Sequence, residues 1–387
     1  MLIKDGIVLH YNRIEAPCDV QIAAGQIAHI GPDLHPTPGE HVIMATGCYV
    51  LPGLIDLHNH GIRDVMAQYD SLVEYSRLMA AAGATACVPT LLGSPQENIA
   101  VMQRGLAETD GFRRTPNLIG FRPEITYLAK TGAGSANSLT KITVETTEAL
   151  YTAAQGRIPI WDVSPELAGA TDFIRWCRQH GIVTSLAHSA ATIEQARQAV
   201  DAGLSLVTHF YDTFDPPPQT DPGVYPAGLT DYIQVEDRLT VEIIPDGVHV
   251  HPLLVEKTLR CKGLGRVAFV TDGVKGAGNP PGIYEGLYPG VQVSVTADRG
   301  VRRTVDDALS GSALTPIRCL QNAVHKFGRS LLDASILCAR TPARVLDLNK
   351  KGYLAADMDA DIILVTQDLQ LRMTIASGEV LYQASSL

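Results

Sequence analysis

The chain has 387 residues, 45% of them hydrophobic, and no apolar run approaches the roughly 20 residues of a membrane span, so a soluble protein with a sizeable core is expected. A net charge of −10 and a pI near 5.6 give no basic footprint for nucleic acid. Seven scattered cysteines without a CxxC pair argue against a disulfide framework or a cysteine-rich zinc site, and predict a reducing, cytoplasmic setting.

Residues 1–15, MLIKDGIVLHYNRIE, carry charges inside the apolar stretch and lack a small-residue cleavage site, so they read as a strand rather than a leader. APCDVQIAAGQIAHIG continues that β texture, and GYLAADMDADIILVTQDLQLRMTIASGEVLY repeats it at the other end. Residues 1–49 and 350–387 are therefore expected to form one small β domain around a larger unit spanning 50–349. In that unit short apolar runs alternate with helix-like segments such as SLVEYSRLMAAAG, ATDFIRWCRQHG and TIEQARQAVDAG, each stopped by Gly. The candidate strands are 51–57, 85–90, 117–123, 158–163, 183–187, 206–208, 239–245 and 267–271. Eight such units predict an α/β fold of TIM-barrel type, with its chemistry at the C-terminal ends of the strands. The Pro-rich stretch 214–228, FDPPPQTDPGVYPAG, is long for a β/α connection and reads as a functional flap.

Polar residues cluster at those strand ends. The first strand runs into LHNHG, and in extended backbone residues i and i+2 share a face, so His58 and His60 can chelate one ion together. The fifth strand ends SLAHS at His188, the sixth ends LVTHF at His209, and the eighth ends FVTDG at Asp272. His10, His29, His35, His41, His180 and His325 fall outside this pattern and read as surface or packing residues. Nitrogen and carboxylate ligands suit zinc, with iron, manganese or cobalt as other occupants. A hydrolytic site of this kind supplies an acidified water and polarises a carbonyl. Asp272, held at the end of an apolar strand, is the expected proton acceptor and donor beside it.

LPGLIDLHNHG, SLAHSAATIEQARQAVDAG, LVTHFYDTF, IPDGVHVHP, FVTDGVKGAG and ALSGSALTP together resemble the amidohydrolase superfamily, specifically N-acetylglucosamine-6-phosphate deacetylases, over nearly the whole chain. The resemblance implies a distorted (β/α)8 barrel flanked by a small β-sandwich, a homodimer, and a small-molecule substrate with neither nucleic acid nor membrane as partner. It places the family's metal-binding histidines on His188 and His209 and its catalytic aspartate on Asp272. His58 and His60 match a pair that some members use for a second metal, leaving one or two ions open. The family's metal-binding glutamate after strand three falls on Glu124, within FRPEITYL. A carbamylated lysine is not expected, because IPIWDV offers no Lys.

The substrate side departs from the family pattern. Its phosphate-contacting Arg falls in the stretch Thr220-Asp221-Pro222-Gly223, and no Lys or Arg occurs from 210 to 237. Asp212-Thr213 stands where the family has Asn-Ala, and a carboxylate there repels a phosphate dianion. Gly134 replaces a substrate-contacting histidine beside Ala133. His249, Ser310 and Gly311 keep their family places at the substrate, and Lys130 or Lys275 is a candidate replacement cation. Three readings follow: removal of an acetyl or small acyl group from an amino sugar; another amidohydrolase reaction, on an unphosphorylated N-acyl compound or a deamination with Glu242 as the nearest shuttle; and a barrel that has lost catalysis. Gaps in the ligand set would mark the last, and none is visible.

Overall fold

In the computed structural model every residue is described except Pro218, Ala297, Ser386 and Leu387, so the flap 214–228 lies within the described residues apart from Pro218. Both chain ends build one sheet, in the order Glu379–Gln383, Leu371–Ala376, Ile362–Val365, Tyr49–Pro52, Leu2–Leu9, Ile14–Ala23 and Gln26–Gly31, with Val42–Met44 also paired to Leu2–Leu9. The strand Ile362–Val365 is apolar at every position because alternate side chains serve two cores. Ile362 and Leu364 pack with Ile3, Val8, Val20 and Ile27, whereas Ile363 and Val365 join the barrel core.

The eight barrel strands are parallel and fall into two arcs. Leu54–Asn59, Ala84–Leu91 and Arg122–Pro123 form one; Ile160–Val163, Val183–Leu186, Leu206–Val207, Thr240–Ile243 and Val267–Phe269 form the other. The first expected strand, 51–57, is divided: Tyr49–Pro52 pairs in the terminal sheet, and the barrel strand begins at Leu54. Gly53 sits between them, where an added Cβ would lie 2.1 Å from the Thr85 hydroxyl. The third expected strand, 117–123, contracts to Arg122–Pro123 plus a single bridge between Cys87 and Leu118. Proline has no N–H for the ladder, and Gly120 packs its backbone against Pro159, so regular pairing stops on both sides.

The arcs are joined at their gaps by specific bonds. Between last and first strands, Asp272 N–H donates to His58 O at 2.9 Å and His60 N–H donates to Gly273 O at 2.9 Å. Gly273 permits this approach, since a Cβ there would meet Asn59 Nδ2 at 2.7 Å and two backbone carbonyls at 3.0 Å. The buried Asp56 carboxylate accepts from Thr271 Oγ1 at 2.6 Å, a second stitch across the seam.

The expected helical segments are Leu72–Ala80, Ala170–Gln179 and Ile193–Ala202; the last carries a Thr192–Gln195 capping box and stops at Gly203. An antiparallel sheet not anticipated from the sequence, Gly282–Glu285, Gln292–Thr296 and Gly300–Arg303, follows the last barrel strand. Its Val293, Val295 and Val301 pack on Met66, Leu92, Ile125 and Val274 beside the barrel mouth. Among the described residues no helix is long and apolar enough to cross a membrane.

Candidate metal centre and active site

His58, His60, Glu124, His188, His209 and Asp272 are all buried and all meet at the barrel mouth. His58 Nε2 lies 3.2 Å from His60 Nε2, and His188 Nε2 lies 3.2 Å from His209 Nε2. Glu124 stands between the pairs: Oε1 is 3.2 Å from His188 Nε2 and 3.3 Å from His209 Nε2, and Oε2 is 3.3 Å from His60 Nε2. Asp272 Oδ1 completes the first pair at 3.2 Å from His60 Nε2 and 3.5 Å from His58 Nε2. Two imidazole nitrogens in contact share at most one proton between them, so four facing nitrogens with two carboxylates fit a cation far better than a hydrogen-bonded core. The groups His58, Glu124, His209 and His58, His60, Asp272 each bring their ligand atoms within 4.8 Å of one another.

The electrostatics agree with that fit. Burial pushes the Glu124 carboxyl up, but the His58 charge and hydrogen bonds from His188 and His209 hold it well below the usual carboxylate range. Burial likewise opposes ionisation of Asp272, and the His60 hydrogen bond with the surrounding imidazoles brings its pKa down to about 2. His58 is lowered by burial and by Arg122, but Glu124 and Glu242 outweigh both and raise it to about 10. The carboxylates therefore favour a proton on His58, which a divalent ion bound there would displace.

Different devices set the two histidine pairs. His58 and His60 lie in or next to the strand Leu54–Asn59 and have anchored Nδ1 atoms: His58 Nδ1 on Glu242 Oε2 at 3.4 Å, and His60 Nδ1 on Thr90 O at 3.1 Å. His188, His209 and Asp272 instead follow short strands in left-handed backbone, with φ of 44°, 24° and 48°. Such conformations persist where surrounding structure over-determines them, and they gather at functional sites. Ser189 Oγ and Ala190 N–H both donate to Glu166, at 2.7 Å each, which fixes the turn after His188.

A cavity of about 190 Å³ opens on this cluster and is lined by Ala133, Asp212, His249 and Gly311 among the expected substrate residues. His249 Nδ1 bonds Asp246 Oδ2 at 2.7 Å. Ser310 does not line the cavity; it is buried, and its N–H donates to Val301 O at 3.1 Å. Neither expected replacement cation reaches the cavity: Lys130 pairs with Asp215, and Lys275 pairs with Glu285 at 2.6 Å. Both are drawn to nearer carboxylates. Among the described residues the cation that lines the cavity is Arg303, on the sheet that sequence reading missed, with Asp306 bound to one side of its fork.

Beneath the cluster Glu242 joins a second group with Arg122 and Asp162, two residues that sequence reading did not single out, and all three are fully buried. The signal was present as single charges inside apolar strands, in IWDV and TVEI. Glu242 commits its oxygens to Arg122 and to the Nδ1 side of His58, so it is not placed as a proton shuttle.

A model of the amidohydrolase family matches residues 49–381. The chain is 32% identical over 346 residues to the N-acetylglucosamine-6-phosphate deacetylase of Vibrio furnissii, covering 87% of this chain and 84% of that protein. It is 28% identical over 336 residues to the N-acetylgalactosamine-6-phosphate deacetylase of Escherichia coli O157:H7, covering 85% and 86%. The solved structure of a variant N-acetyl-D-glucosamine-6-phosphate deacetylase from Mycobacterium smegmatis, in complex with N-acetyl-D-glucosamine 6-phosphate, superposes with a TM-score of 0.87 at 25% identity, covering 99% of each chain. A barrel with this candidate ligand set at its mouth, a family match across most of its length and a relative of that identity place the protein: the chain belongs to the metal-dependent amidohydrolase family.

Proposed function

We propose that this protein is a metal-dependent amide hydrolase that removes an acetyl group from an N-acetylated amino sugar, with N-acetylglucosamine 6-phosphate as its substrate. The observation that carries the reading is Glu124, whose two oxygens face two separate histidine pairs, one of them completed by Asp272. That arrangement supports two ions, one among His58, His60 and Asp272 and one at His188 and His209, with Glu124 shared; zinc suits the nitrogen and carboxylate donors. A divalent ion bound there acidifies a water and polarises the amide carbonyl. Asp272 accepts the proton as the amide carbon is attacked and delivers it to the departing nitrogen. Asp212 and His249 face the sugar, Ala133 and Gly311 offer backbone contacts, and Ser310 supports the strand Gly300–Arg303 from behind. Arg303 supplies the positive charge for the anionic end, in place of the arginine the loop 214–228 lacks.

The relatives named for N-acetylglucosamine 6-phosphate and for N-acetylgalactosamine 6-phosphate support the substrate class. The seven cysteines, all free, suit a cytoplasmic setting, and a homodimer completes the reading. Acetate release from N-acetylglucosamine 6-phosphate, N-acetylgalactosamine 6-phosphate and N-acetylglucosamine, side by side on zinc-loaded enzyme, is the test. Preference for a phosphorylated sugar is expected. No release from any of the three with zinc bound would overturn the amino-sugar reading and turn the search to other N-acyl compounds.

A further inference from the structure

The guanidinium of Arg122 is fully buried, and every one of its nitrogens is engaged. Nε and Nη2 form a fork on Asp162, at 2.7 and 2.8 Å. Nη1 donates to Glu242 Oε1 at 2.6 Å and to the Leu57 carbonyl at 2.9 Å. Nη2 also reaches Thr208 Oγ1 at 2.9 Å and Glu242 Oε2 at 3.2 Å. The group spans strands from both arcs of the barrel, yet it crosses the axis rather than pairing neighbouring backbones. Well-packed apolar residues of similar volume hold a barrel at least as well as a buried ion group of this size. Stability alone is therefore a poor reason for it.

Its outlet is His58. Arg122 holds the carbonyl of Leu57, the residue before His58, and also fixes Glu242, whose Oε2 lies 3.4 Å from His58 Nδ1 and faces it as an acceptor. One guanidinium thus sets both the backbone and the ring of the same histidine. With the proton on Nδ1, the Nε2 lone pair faces His60, Glu124 and Asp272. One guanidinium against two carboxylates leaves a net charge of −1 directly behind the candidate ion, which favours a cation there.

We propose that Arg122 is a positioning residue of the metal centre, acting through Glu242 to fix the tautomer and orientation of His58. The inference rests on the reading of His58 as a metal ligand given above. Outer-shell partners of ligating imidazoles are typically worth 10–100-fold in metal affinity. Arg122 is thus expected to matter most to the ion among His58, His60 and Asp272, because near the other pair it makes one bond, to Thr208, the residue before His209.

The test compares wild type with Glu242→Asp, Glu242→Gln and Arg122→Lys. Zinc affinity is read by competition with a chromophoric chelator, the coordination environment by the absorption bands of the cobalt-loaded protein, and the fold by melting of the metal-free protein. Glu242→Asp keeps the charge opposite Arg122 but withdraws the carboxylate from His58, so it separates positioning from folding. It is expected to weaken one of two zinc equivalents by roughly 10–100-fold and to shift the cobalt bands, with the metal-free melt close to wild type. If Arg122→Lys fails to fold, Glu242→Asp decides alone. Wild-type affinity for both equivalents and unchanged cobalt bands in Glu242→Asp would overturn the inference and leave a structural ion group. Wild type that takes up no zinc would overturn the metal reading itself, and this inference with it.

Discussion

The two histidine pairs do similar geometric work by different means. His58 lies in a strand and His60 just past its end, and both are held through their ring nitrogens, one by Glu242 and one by the Thr90 carbonyl. His188 and His209 are aimed by left-handed backbone at the ends of short strands, and neither Nδ1 has a partner among the described residues. A ring fixed by hydrogen bonds depends on residues far away in sequence; a ring fixed by a bent backbone depends on the few residues around the bend. Mutations that disable the halves should therefore map to different places.

Removing one ligand from each half gives the largest effect. His58→Ala and His188→Ala are each expected to lower zinc content from two equivalents to one and to abolish turnover, as measured by metal analysis and acetate release. Two equivalents retained in either variant would break the division into halves. Next in size is Asp272→Asn, whose amide oxygen is expected to hold the zinc at His58 and His60 more weakly, with loss of roughly 10²–10⁴-fold in kcat as the proton acceptor disappears. An active Asp272→Asn enzyme would remove Asp272 from the acid/base role.

Gly132→Ala sharpens the comparison by striking only the backbone-aimed half. Gly132 has φ +56°, and an added Cβ would stand 2.7 Å from His188 Cε1. A loss of about 1–3 kcal/mol in stability is expected from the strained φ, together with weaker zinc binding at His188. If chelator competition shows the His58 and His60 position weakened instead, the halves are coupled.

The smallest effect belongs to the cavity wall, where His249 and Asp246 bond at 2.7 Å. Burial lowers the His249 pKa, but the Asp246 hydrogen bond and charge raise it above the ordinary 6.5. Burial raises that of Asp246, but the His249 hydrogen bond and charge bring it below 3.8. The His249 contribution is complete below about pH 6.5 and is lost as pH rises through its folded pKa; that of Asp246 is complete above about pH 3.8 and is lost as pH falls through its own. The melting-temperature gap between wild type and His249→Gln should therefore be widest between those values and narrow at alkaline pH. Its maximum corresponds to about 1 kcal/mol, the difference between a hydrogen bond to a charged group and the neutral one that glutamine can keep. A gap independent of pH would show that the pair is not ionised.

Local pattern was enough for the β/α alternation, the barrel class and the joining of both chain ends in one β unit. Strand and helix periods and Gly stops are written in neighbouring residues. The same locality placed His58, His60, His188, His209 and Asp272 at strand ends, and a barrel gathers strand ends at one mouth. Glu124 needed the family resemblance, because its strand is only two residues long. Tertiary structure alone decided which charges meet. Arg122, Asp162 and Glu242 lie 40 and 120 positions apart along the chain and became one group only when the barrel closed. Lys130 and Lys275 were spent on nearby carboxylates, whereas Arg303 was carried to the cavity by an antiparallel sheet with no marked signal in the sequence. Periodicity reports which face of an element is buried; it carries no information about which side chains from distant elements share that burial, and an ion pair is set by that second fact.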